Sequence, residues 1–398
     1  MKMYQDHEHR VNLHKPIKIL YIDKSHNLAG AEICLKELIT HVPSGRIEAL
    51  VCFDMPRVHH AFFNENNIKI IYRANKIKWW MTESWRFKIR GTGIIERIGF
   101  AFILSSYIRA YKPHIIHINL YRPKDYLDLC VARFFRVATV VHVRSLASQV
   151  PLCRNTFNKC DLAICISDFV KEELKNMNVC CRLTRIYDSI DFTKYRNDKT
   201  QAEARRILNL SQNVKVFSSV AMLFPRKGHD VAIRAFAELQ QRFKDSLLLI
   251  AGGEPMGLRG SEIRRLQQIA QDQGVRSSVR FLGHCNDMKT VFAASDVIYA
   301  LSSNGEAFGR VSAEAAIARR PVIATGIGAT PEVVIHEKTG FLVKPGDIEN
   351  IAAYSEKLIS DRSLYAVIVE NAEKRAKEMF NWETAAKLVA HEYKNLLQ

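Results

Sequence analysis

Residues 302–325 read SSNGEAFGRVSAEAAIARRPVIAT, in which a glycine-punctuated loop leads into a helix-forming run and then into an apolar strand. Two carboxylates, Glu306 and Glu314, stand eight positions apart in this stretch. An acid near the start of a helix gains stability from the helix dipole, and this explains one of the two. The other acid, with Phe308 and Gly309 between the two, indicates a binding site at the end of a strand.

The same alternation of short apolar strands and amphipathic helices extends over most of the chain. In the first half the pattern predicts strands at 18–23, 47–53, 114–120, 139–144, 161–167 and 184–189. Helix-forming runs such as AEICLKELITHV and DFVKEELKNM separate these strands. Strands joined by long helical crossovers pair in parallel, so this half is predicted to be a doubly wound α/β domain.

A polar stretch at about 194–206, KYRNDKTQAEARR, interrupts the alternation and is the predicted linker. The alternation then resumes with the strand-forming runs KVFSSVAML, LLLIAGG, SVRFLGH, DVIYALSS and PVIATG. We therefore predict two Rossmann-like α/β domains, 1–195 and 196–379, and a last helix at about 380–398 that returns to the first domain. Ligands of open α/β sheets bind beyond the carboxyl ends of the strands, so two such domains facing each other would enclose one ligand cleft.

The composition indicates a folded protein in a reducing compartment. The residues are 47% hydrophobic and 25% charged, a composition that excludes a disordered protein. A length of 398 residues exceeds what one hydrophobic core usually holds. Its nine cysteines show no metal-ligand spacing, and several lie in apolar runs, as reduced thiols do. The polar, histidine-rich start is unlike a secretory signal, and a run of about 18 apolar residues occurs nowhere. We therefore expect a cytoplasmic protein.

The positive charge of the chain is concentrated in its first half. Residues 1–195 carry 30 Lys and Arg against 18 Asp and Glu, whereas the remainder carries 28 against 23. A basic half indicates an anionic partner such as nucleic acid, acidic lipid or a phosphorylated substrate. No nucleic-acid-binding motif accompanies the charge, so nucleic acid is not the expected partner.

Several loops that follow predicted strands have the composition of phosphate-binding loops. Gly30 stands directly before a helix, where backbone N–H groups can approach an anion. Arg226 and Lys227 precede another helix, and paired cations suit a diphosphate. Gly252 and Gly253 follow a third strand and permit close approach of the backbone to a ligand.

The helix that begins after Gly309 completes this set of loops. Its N-terminus offers N–H donors to an anion. Glu314 lies roughly 7–8 Å beyond the helix start, at 1.5 Å per residue, and its carboxylate can accept hydrogen bonds from both hydroxyls of a ribose. Together the loops predict a site for a nucleoside diphosphate that carries a further polar group.

The run EAFGRVSAEA (306–315) closely resembles the E-x7-E motif of family 4 retaining glycosyltransferases, which have the GT-B fold. The continuation RRPVIATGIGATPEVVIHEKTGFLVKPGD resembles the donor domain of that family. Shorter matches are AGAE, ISDFVKEEL, RIYDSIDFTKY and FNWETAAKL. The resemblance is dense from about Asp161 onward and patchier before it. It implies two Rossmann-like domains facing across a cleft, the first binding the acceptor and the second binding the nucleotide sugar.

The resemblance also implies roles for individual residues. Glu306 is expected to contact the hydroxyls of the donor sugar near the reacting carbon, and Glu314 to hold the ribose. Lys227 is expected to neutralise the diphosphate leaving group, and His142 to lie beside the donor sugar, whereas His117 is assigned to structure. Backbone contacts to the sugar and phosphates are expected by this resemblance from Gly30, Phe308, Gly309 and Arg310, and a contact from Gly253 is expected from its place after a strand.

Two segments depart from the family pattern. The phosphate loop, usually G-R-L-x-x-x-K-G, here reads Ala-Met-Leu-Phe-Pro-Arg-Lys-Gly, so Met222 replaces an arginine. We hypothesise that Arg226 substitutes for that cation. Asp188-Ser189 stands where the family more often has Asn-Gly, which bears on the connection between the domains more than on the chemistry.

These residues predict a metal-independent reaction. Breaking a sugar–diphosphate bond develops negative charge on the leaving phosphate, which Lys227, Arg226 and helix N-termini would stabilise. No D-x-D element lies in these loops, so neither a metal nor a cofactor is expected. The donor is expected to be a UDP- or GDP-linked sugar, and the choice of base to depend on the backbone around Gly283–Met288.

The acceptor is expected to be a glycan or a lipid-linked molecule, in bacterial cell-surface polysaccharide synthesis. One alternative is a nucleotide-sugar epimerase on the same fold, which needs no acceptor. The other is a non-catalytic protein that binds a nucleotide sugar or a membrane, an interpretation motivated by Met222.

The segment 73–91, RANKIKWWMTESWRFKIRG, mixes three tryptophans with lysines and arginines. Aromatic rings beside cations suit an acidic membrane surface or a lipid-diphosphate acceptor, and a surface loop with its rings packed inward is the alternative. The membrane interpretation predicts a peripheral protein at the inner face of the plasma membrane. The apolar helix that follows, at 98–108, is interpreted as core.

Overall fold

The structure is a computed structural model that describes residues 15–24, 30–54, 61–73, 92–147, 150–196, 198–254 and 260–398. The chain divides into an N-terminal unit, Met1–Asp188 with Trp382–Gln398, and a C-terminal unit, Ser189–Asn381. This division falls a few residues before the predicted boundary at 195, and it assigns the last helix to the N-terminal unit.

The N-terminal unit is built on a parallel β-sheet. Its strands are β1 (Ile17–Asp23), β2 (Ile47–Phe53), β3 (Lys69–Tyr72), β4 (Ile115–Ile118), β5 (Ala138–Val143), β6 (Leu162–Cys165) and β7 (Arg182–Arg185). Within the described residues they form one sheet of order β3-β2-β1-β4-β5-β6-β7 with parallel pairings. Strands β4 and β6 are buried at every position, as expected where helices cover both faces.

The crossovers of this unit contain helices that bury one face against the sheet. They are α1 (Gly30–His41), α2 (Ala61–Asn64), α3 (Thr92–Tyr111), α4 (Tyr126–Phe134), α5 (Arg154–Phe157) and α6 (Asp168–Asn176). Leu35 and Leu38 of α1 belong to one buried cluster with Ile19 and Tyr21 of β1. Ser167 caps α6 by accepting a hydrogen bond from the N–H of Val170, so its hydroxyl satisfies one of the free donors of the first turn.

The C-terminal unit has the same class of architecture. Its strands are β8 (Lys215–Val220), β9 (Ser246–Ala251), β10 (Val279–Gly283), β11 (Val297–Ala300), β12 (Val322–Thr325) and β13 (Phe341–Val343). Its helices are α7 (Phe192–Tyr195), α8 (Gln201–Ile207), α9 (His229–Arg242), α10 (Ser261–Asp272), α11 (Met288–Ala294), α12 (Arg310–Ile317), α13 (Thr330–Val333), α14 (Ile348–Ser360) and α15 (Arg362–Met379).

The strand order of the C-terminal sheet locates its ligand-binding edge. The described strands lie in the order β10-β9-β8-β11-β12-β13, all parallel. The chain winds outward from β8 in one direction and from β11 in the other, so these two neighbours mark the topological switch point. Open α/β sheets bind ligands beyond the carboxyl ends of the strands at such a point. The loops that follow Val220 and Ala300 therefore define the place to look for a site.

The last helix, α16 (Trp382–Leu396), returns to the N-terminal unit. Trp382, Ala386 and Tyr393 belong to the same buried cluster as β1 and α1. The hydroxyl of Tyr393 lies 2.6 Å from Nδ1 of His117 and 3.1 Å from the hydroxyl of Tyr21. Burial lowers the pKa of His117 to about 3, so this histidine is neutral and serves the attachment of α16.

Two further observations bear on the sequence-based expectations. No helix among the described residues is long and apolar enough to cross a bilayer. All nine cysteines lie in the described part of the chain, and each is a free thiol.

Candidate active site

The loop after β8 carries Lys227 to the switch point. Pro225–Lys227 form a 3₁₀ turn that ends at Gly228, whose φ of 71° is left-handed. A Cβ atom at Gly228 would lie 2.0 Å from the carbonyl oxygen of Leu301, which follows β11. Only glycine fits this approach, and it locks the loop after β8 against the loop after β11. Lys227 is thereby held beside the end of the neighbouring strand.

The loop after β11 is fixed by several backbone contacts. The carbonyl of Arg226 accepts hydrogen bonds from the N–H of Ser303 at 2.8 Å and from the hydroxyl of Ser302 at 3.2 Å. Glu306 forms an isolated β-bridge with Gly328, and its carbonyl accepts the N–H of Ala329 at 2.8 Å. The backbone of Glu306 is therefore held from two sides while its side chain is left to point toward the loop after β8.

Lys227 and Glu306 meet at this point. Nζ of Lys227 donates a hydrogen bond to Oε1 of Glu306 at 2.5 Å, and the two side chains are 18% and 27% exposed. A partly exposed pair of this kind contributes little to stability, roughly 0–1 kcal/mol. A diphosphate carries more negative charge than one carboxylate and can therefore compete with Glu306 for the ammonium group.

The start of α12 lies next to this pair. Gly309, in a left-handed conformation with φ of 95°, is the residue before the helix. The side chain of Phe308 points inward and packs edge-on against Phe380, with ring centroids 5.1 Å apart. Phe308 is buried, so its ring anchors the turn and the backbone remains the part that a ligand can reach. The N–H groups of the first turn of α12 follow Glu306 directly and carry the positive end of the helix dipole.

Glu314 lies one turn further along α12, and it already has two protein partners. Its Oε1 atom pairs with Nε of Arg310 at 2.7 Å. Burial, and then the charge of Glu314, raises the pKa of the Tyr195 hydroxyl, which hydrogen-bonds to both Glu314 and Arg310. Glu314 is only 6% exposed. The carboxylate is therefore oriented by two neighbours, and a ribose would share or replace the bond to Arg310.

The loop after β9 approaches the loop after β8 closely enough to require glycine. A Cβ atom at Gly252 would lie 1.7 Å from the carbonyl oxygen of Ala221. The carbonyl of Gly253 accepts the N–H of Leu223 at 3.0 Å. These glycines first serve the packing of one loop on another, a reason that the sequence pattern alone does not show.

Arg226 precedes Lys227 in the chain, and its side chain lies against an aromatic ring. Its guanidinium lies over the ring of Phe224, with the central carbon 5.6 Å from the ring centroid. Its Nη1 atom is buried and has no hydrogen-bond partner within the described ranges. Met222, which occupies the family's arginine position, has a side chain that is 45% exposed. Arg226 therefore keeps one unused hydrogen-bond donor on the residue that precedes Lys227.

In the N-terminal unit, Gly30 is the first residue of α1, beside the switch point between β1 and β4. Asn119, which follows β4, donates hydrogen bonds to Oδ2 of Asp23 at 2.6 Å and to the carbonyl of Ala31 at 3.0 Å. The start of α1 is therefore tied to the ends of both central strands.

His142 lies near the end of β5 and is held by Arg144. Its Nδ1 atom is 3.2 Å from Nη2 of Arg144, which also binds Asn119 and Asp188. Because a guanidinium can only donate, Nδ1 is the acceptor. Burial, followed by the charge of Arg144, lowers the pKa of His142 well below 6.5, so the neutral ring carries its proton on Nε2. Within the described residues, buried Nε2 has no partner, and His142 thus has one unused N–H donor.

A second set of charges beside this edge is fully buried. Nζ of Lys24 lies 2.6 Å from Asp125 and 2.5 Å from Asp128, and Arg73 makes two hydrogen bonds of 3.1 Å to Asp128. Burial opposes ionisation of Asp128, but Arg73 and Lys24 hold its pKa below the usual value of 3.8. The opposite charges of these groups pair with one another, although buried Nε of Arg73 has no hydrogen-bond partner among the described residues. We therefore assign the set to the protein's framework rather than to a binding site.

The predicted site residues thus fall into separate groups. The C-terminal unit brings Lys227 to Glu306 and Arg310 to Glu314, whereas Gly30 and His142 lie in the N-terminal unit. Residues 74–91 of the predicted membrane segment lie outside the described residues. Within the described ranges, no group of three or more His, Cys, Asp or Glu side chains is placed to hold a metal ion.

Sequence reasoning did not single out Tyr195 or Arg144. Tyr195 lies in RIYDSIDFTKY, which by the family resemblance connects the domains, and its contact with Glu314 appears only after folding. Arg144 follows the predicted His142 by two positions on the same strand edge, and this spacing was the available signal.

The chain has two Rossmann-like parallel sheets, and the loops at the switch point of the second sheet suit a phosphate. This is the architecture of the GT-B class of proteins. Among solved structures, Anabaena Alr3699/HepE in complex with UDP superimposes with a TM-score of 0.80 at 22% identity, over 95% of this chain and 100% of that one. The same protein has also been solved with UDP-glucose.

Two family models match successive parts of the chain. The model described as Glycosyltransferase Family 4 matches residues 29–194, and that described as Glycosyl transferases group 1 matches residues 200–375. The chain therefore belongs to the family 4 glycosyltransferases, as the E-x7-E resemblance implied.

The curated relatives match this chain over only part of their own length. A D-inositol 3-phosphate glycosyltransferase of Corynebacterium jeikeium (strain K411) is 33% identical over 203 residues, 50% of this chain and 48% of that protein. An uncharacterized glycosyltransferase of Methanocaldococcus jannaschii is 28% identical over 252 residues, 60% of this chain and 61% of that protein. The chain thus spans about half to three fifths of the length of these relatives.

Proposed function

We propose that this chain transfers a sugar from a nucleoside-diphosphate sugar to an acceptor hydroxyl, with retention of the anomeric configuration. The observation that carries the proposal is the meeting of Lys227 and Glu306, 2.5 Å apart, at the switch point of the C-terminal sheet. A cation, a sugar-binding acceptor and the first turn of α12 stand there together. Retention itself is supported by the family resemblance.

In this proposal the diphosphate is the group that the C-terminal unit recognises. The bond between the anomeric carbon and the diphosphate oxygen breaks, and the electron pair leaves with the phosphate. Lys227 and the amides preceding Val311 stabilise the charge that develops there, which is worth most in a site that is preorganised and partly shielded from water. The acceptor oxygen bonds to the anomeric carbon, and its proton passes to the departing diphosphate. Fixed protein cations supply the positive charge in place of a metal ion.

Arg226 is proposed as the second cation of this site. Its Nη1 atom, buried without a hydrogen-bond partner in the described part of the chain, supports the role, because a buried guanidinium N–H without a partner costs free energy. We expect Arg226→Ala to weaken both turnover and donor affinity about tenfold, the lower end for a charge-assisted hydrogen bond. If both quantities are unchanged, the compensation for Met222 does not come from Arg226.

Glu306 and Glu314 have different proposed tasks. Glu306 exchanges its bond to Lys227 for the hydroxyls of the sugar when the diphosphate takes the lysine. Glu314, oriented by Arg310 and Tyr195, accepts from the ribose hydroxyls. The predicted donor contacts of Gly30 and His142, in the N-terminal unit, are part of the same proposal, and the free Nε2–H of His142 suits a sugar oxygen.

The donor class is proposed from the ligands of a structural neighbour. The structural neighbour Alr3699/HepE was solved with UDP and with UDP-glucose, which favours a uridine-linked hexose as the first donor to test. A glycan or lipid-linked acceptor in cell-surface polysaccharide synthesis, a cytoplasmic location and a membrane contact through 73–91 remain predictions of the sequence.

The test begins with binding and ends with turnover. Melting curves of the full chain with UDP, GDP or ADP identify the base, because a ligand that binds only the native state raises the melting temperature. Labelled nucleotide sugars of that base are then incubated with the protein. Transfer or slow hydrolysis supports the proposal, an isomerised nucleotide sugar indicates an epimerase, and binding without turnover indicates a non-catalytic protein. The absence of any stabilisation by all three diphosphates contradicts the proposed site.

A further inference from the structure

Helices α3 and α4 lie side by side in the N-terminal unit, and each buries one face only. Ile103, Leu104 and Ile108 of α3 are buried, as are Leu129 and Ala132 of α4. The helices contact each other, and near their C-terminal ends the guanidinium of Arg109 lies 5.0 Å from the ring centroid of Phe135. The interpretation of 98–108 as core therefore holds for one side of α3.

The opposite sides of these helices expose large aromatic rings. Phe102 of α3 is 74% exposed and Phe134 of α4 is 80% exposed, more than any other large apolar side chain of the described residues. Phe102 and Arg109 are seven positions apart, as are Tyr126 and Arg133, and this spacing places each pair on one side of its helix. Since Arg109 reaches Phe135, the neighbour of Phe134, the two outer sides form one continuous surface, which we call the α3–α4 face.

The α3–α4 face is positively charged. Arg109 and Arg133 are exposed on it, and Lys112 and Arg136 are exposed just beyond the ends of the two helices. None of these four cations pairs with a carboxylate among the described residues. The side chains described over 99–112 and 126–136 include one acid, Asp128, which is 3% exposed and bound to Lys24 and Arg73. Aromatic rings and cations therefore share a surface that has no exposed acid within those ranges.

We propose that the α3–α4 face docks onto an anionic lipid bilayer. Aromatic rings are stabilised at the depth of the headgroups, and each Lys or Arg near an anionic leaflet gains about 1 kcal/mol, or roughly fivefold in binding. A second copy of this chain fits less well, because a symmetric dimer through this face would bring the arginines of both copies together. The inference is independent of the proposed donor chemistry and of residues 74–91.

The experiment is flotation of the full chain with lipid vesicles. We expect the protein to float with vesicles of equimolar phosphatidylcholine and phosphatidylglycerol and to remain behind with phosphatidylcholine alone. Raising the salt concentration from about 0.1 M to about 1 M should reduce the bound fraction, because the screening length falls from about 10 Å to about 3 Å. Failure of the protein to float with the anionic vesicles overturns the proposal.

Two matched double variants locate the contact. Arg133→Gln with Phe134→Ser removes one exposed cation and one exposed apolar side chain from the end of α4. Arg206→Gln with Ile207→Ser removes the same kinds of group from the end of α8 in the C-terminal unit, where Ile207 is 56% exposed. We expect the first variant to lose at least about fivefold in vesicle binding, and the second to bind like the parent protein.

The remaining outcomes are also decisive. Equal loss in both double variants means that total charge, rather than this face, drives binding, and it overturns the proposal. So does unchanged binding of the first variant, which would assign the contact to another segment. If Arg133→Gln with Phe134→Ser shows a lowered melting temperature, Phe102→Ser on α3 replaces it and must show the loss. A dimer in light scattering that dissociates in Phe134→Ser would assign the face to a second copy instead.

Discussion

Counted within each unit, both sheets have the strand order 3-2-1-4-5-6, to which the N-terminal sheet adds a seventh strand, but they use their switch points differently. In the N-terminal unit, Lys24 and Arg73 are buried against Asp125 and Asp128. In the C-terminal unit, Lys227 forms a single, partly exposed pair with Glu306. With the same topology, the charges of the N-terminal unit are buried in pairs within the protein, whereas the pair of the C-terminal unit stays within reach of a ligand.

The difference follows from burial. A buried ion pair loses its hydration, and removing one partner leaves an uncompensated charge, so the N-terminal set is expected to matter for stability. A partly exposed pair retains contact with water and is worth little to stability. The contribution of such a pair is expected to appear only in ligand binding and turnover. Four substitutions test this contrast, from the largest expected effect to the smallest.

Asp128→Asn should cause the largest loss of stability. It removes the charge that accepts two hydrogen bonds from Arg73 and pairs with Lys24, and we expect the free energy of unfolding to fall by about 3–5 kcal/mol. Urea unfolding followed by circular dichroism measures this value. The control is Glu172→Gln, which breaks an exposed pair with Lys175 in the same unit and should cost under about 1 kcal/mol.

The effect of Asp128 should also depend on pH in one direction. The folded state holds the pKa of Asp128 below 3.8, so its contribution is fully present above that value and is lost as the pH falls through the folded pKa. The difference between the parent protein and Asp128→Asn should therefore be constant near neutrality and shrink in acid. A difference that grows below pH 3.8 contradicts the assignment.

Lys227→Met should lower activity strongly and stability only slightly, the reverse of Asp128→Asn. We expect turnover of the nucleotide sugar to fall by about 10²- to 10³-fold, as for the loss of one charge-stabilising donor, while the free energy of unfolding changes by under about 1 kcal/mol. Steady-state transfer assays and urea unfolding provide the two readouts. Arg242→Met, which breaks an exposed pair with Glu356 in the same unit, should leave both unchanged. A loss of stability as large as that of Asp128→Asn would remove the contrast between the units.

Glu314→Gln should weaken recognition of the ribose. A hydrogen bond to a charged acceptor is worth about 1.5–3 kcal/mol, so the affinity for UDP should fall at least about tenfold. The specific readout is the ratio of the dissociation constants of UDP and its 2′-deoxy analogue by calorimetry. The parent protein should prefer the ribose form, and the variant should lose most of that preference. Glu306→Gln is the control and should keep it. An unchanged ratio in Glu314→Gln would exclude this carboxylate as the ribose acceptor.

The smallest expected effect concerns a single proton, and Arg144→Met tests it by spectroscopy. Because this substitution also breaks the pair of Arg144 with Asp188 and lowers stability, the titration is confined to conditions in which the variant is folded. Arg144 is, after burial, the main cause that lowers the pKa of His142, and it fixes the proton on Nε2. The substitution should raise that pKa and allow the Nδ1–H tautomer. Titration of the histidine resonances by NMR, with ¹⁵N shifts for the tautomer, measures both. Arg133→Gln removes an exposed arginine from α4 and should leave the His142 signals unchanged. If Arg144→Met also leaves them unchanged, the arginine does not control the ring.

Much of the fold follows from the pattern of apolar residues along the chain. The strands that this pattern did not predict are short and lie at the edges of the sheets. The strands at 47–53 and 18–23 were predicted within one residue, since each is a long apolar run. Lys69–Tyr72 and Phe341–Val343 were not predicted. Both are short and lie at an edge of their sheet, where one side lacks a neighbour and the sequence has little need for a continuous apolar run.

The candidate site was predictable as a set of residue types but not as contacts. Lys227 and Glu306 were both expected from loops after strands, yet they are 79 positions apart and meet only because β8 lies beside β11. Strand order is set by how the crossovers pack, which local sequence does not encode. The contact of Tyr195 with Glu314 depends on the same packing.

The chain passes from one unit to the other twice, once after Asp188 and again after Asn381. During translation, therefore, Ser189–Asn381 emerges as one unbroken stretch and can condense before α16 is made. The surface of β1 and β4 that Tyr393 later covers stays open to water until that helix leaves the ribosome. A chaperone that binds apolar surfaces of nascent chains would therefore bind to this surface of β1 and β4. A premature stop codon just beyond Asn381 would accordingly damage the unit that was synthesised first.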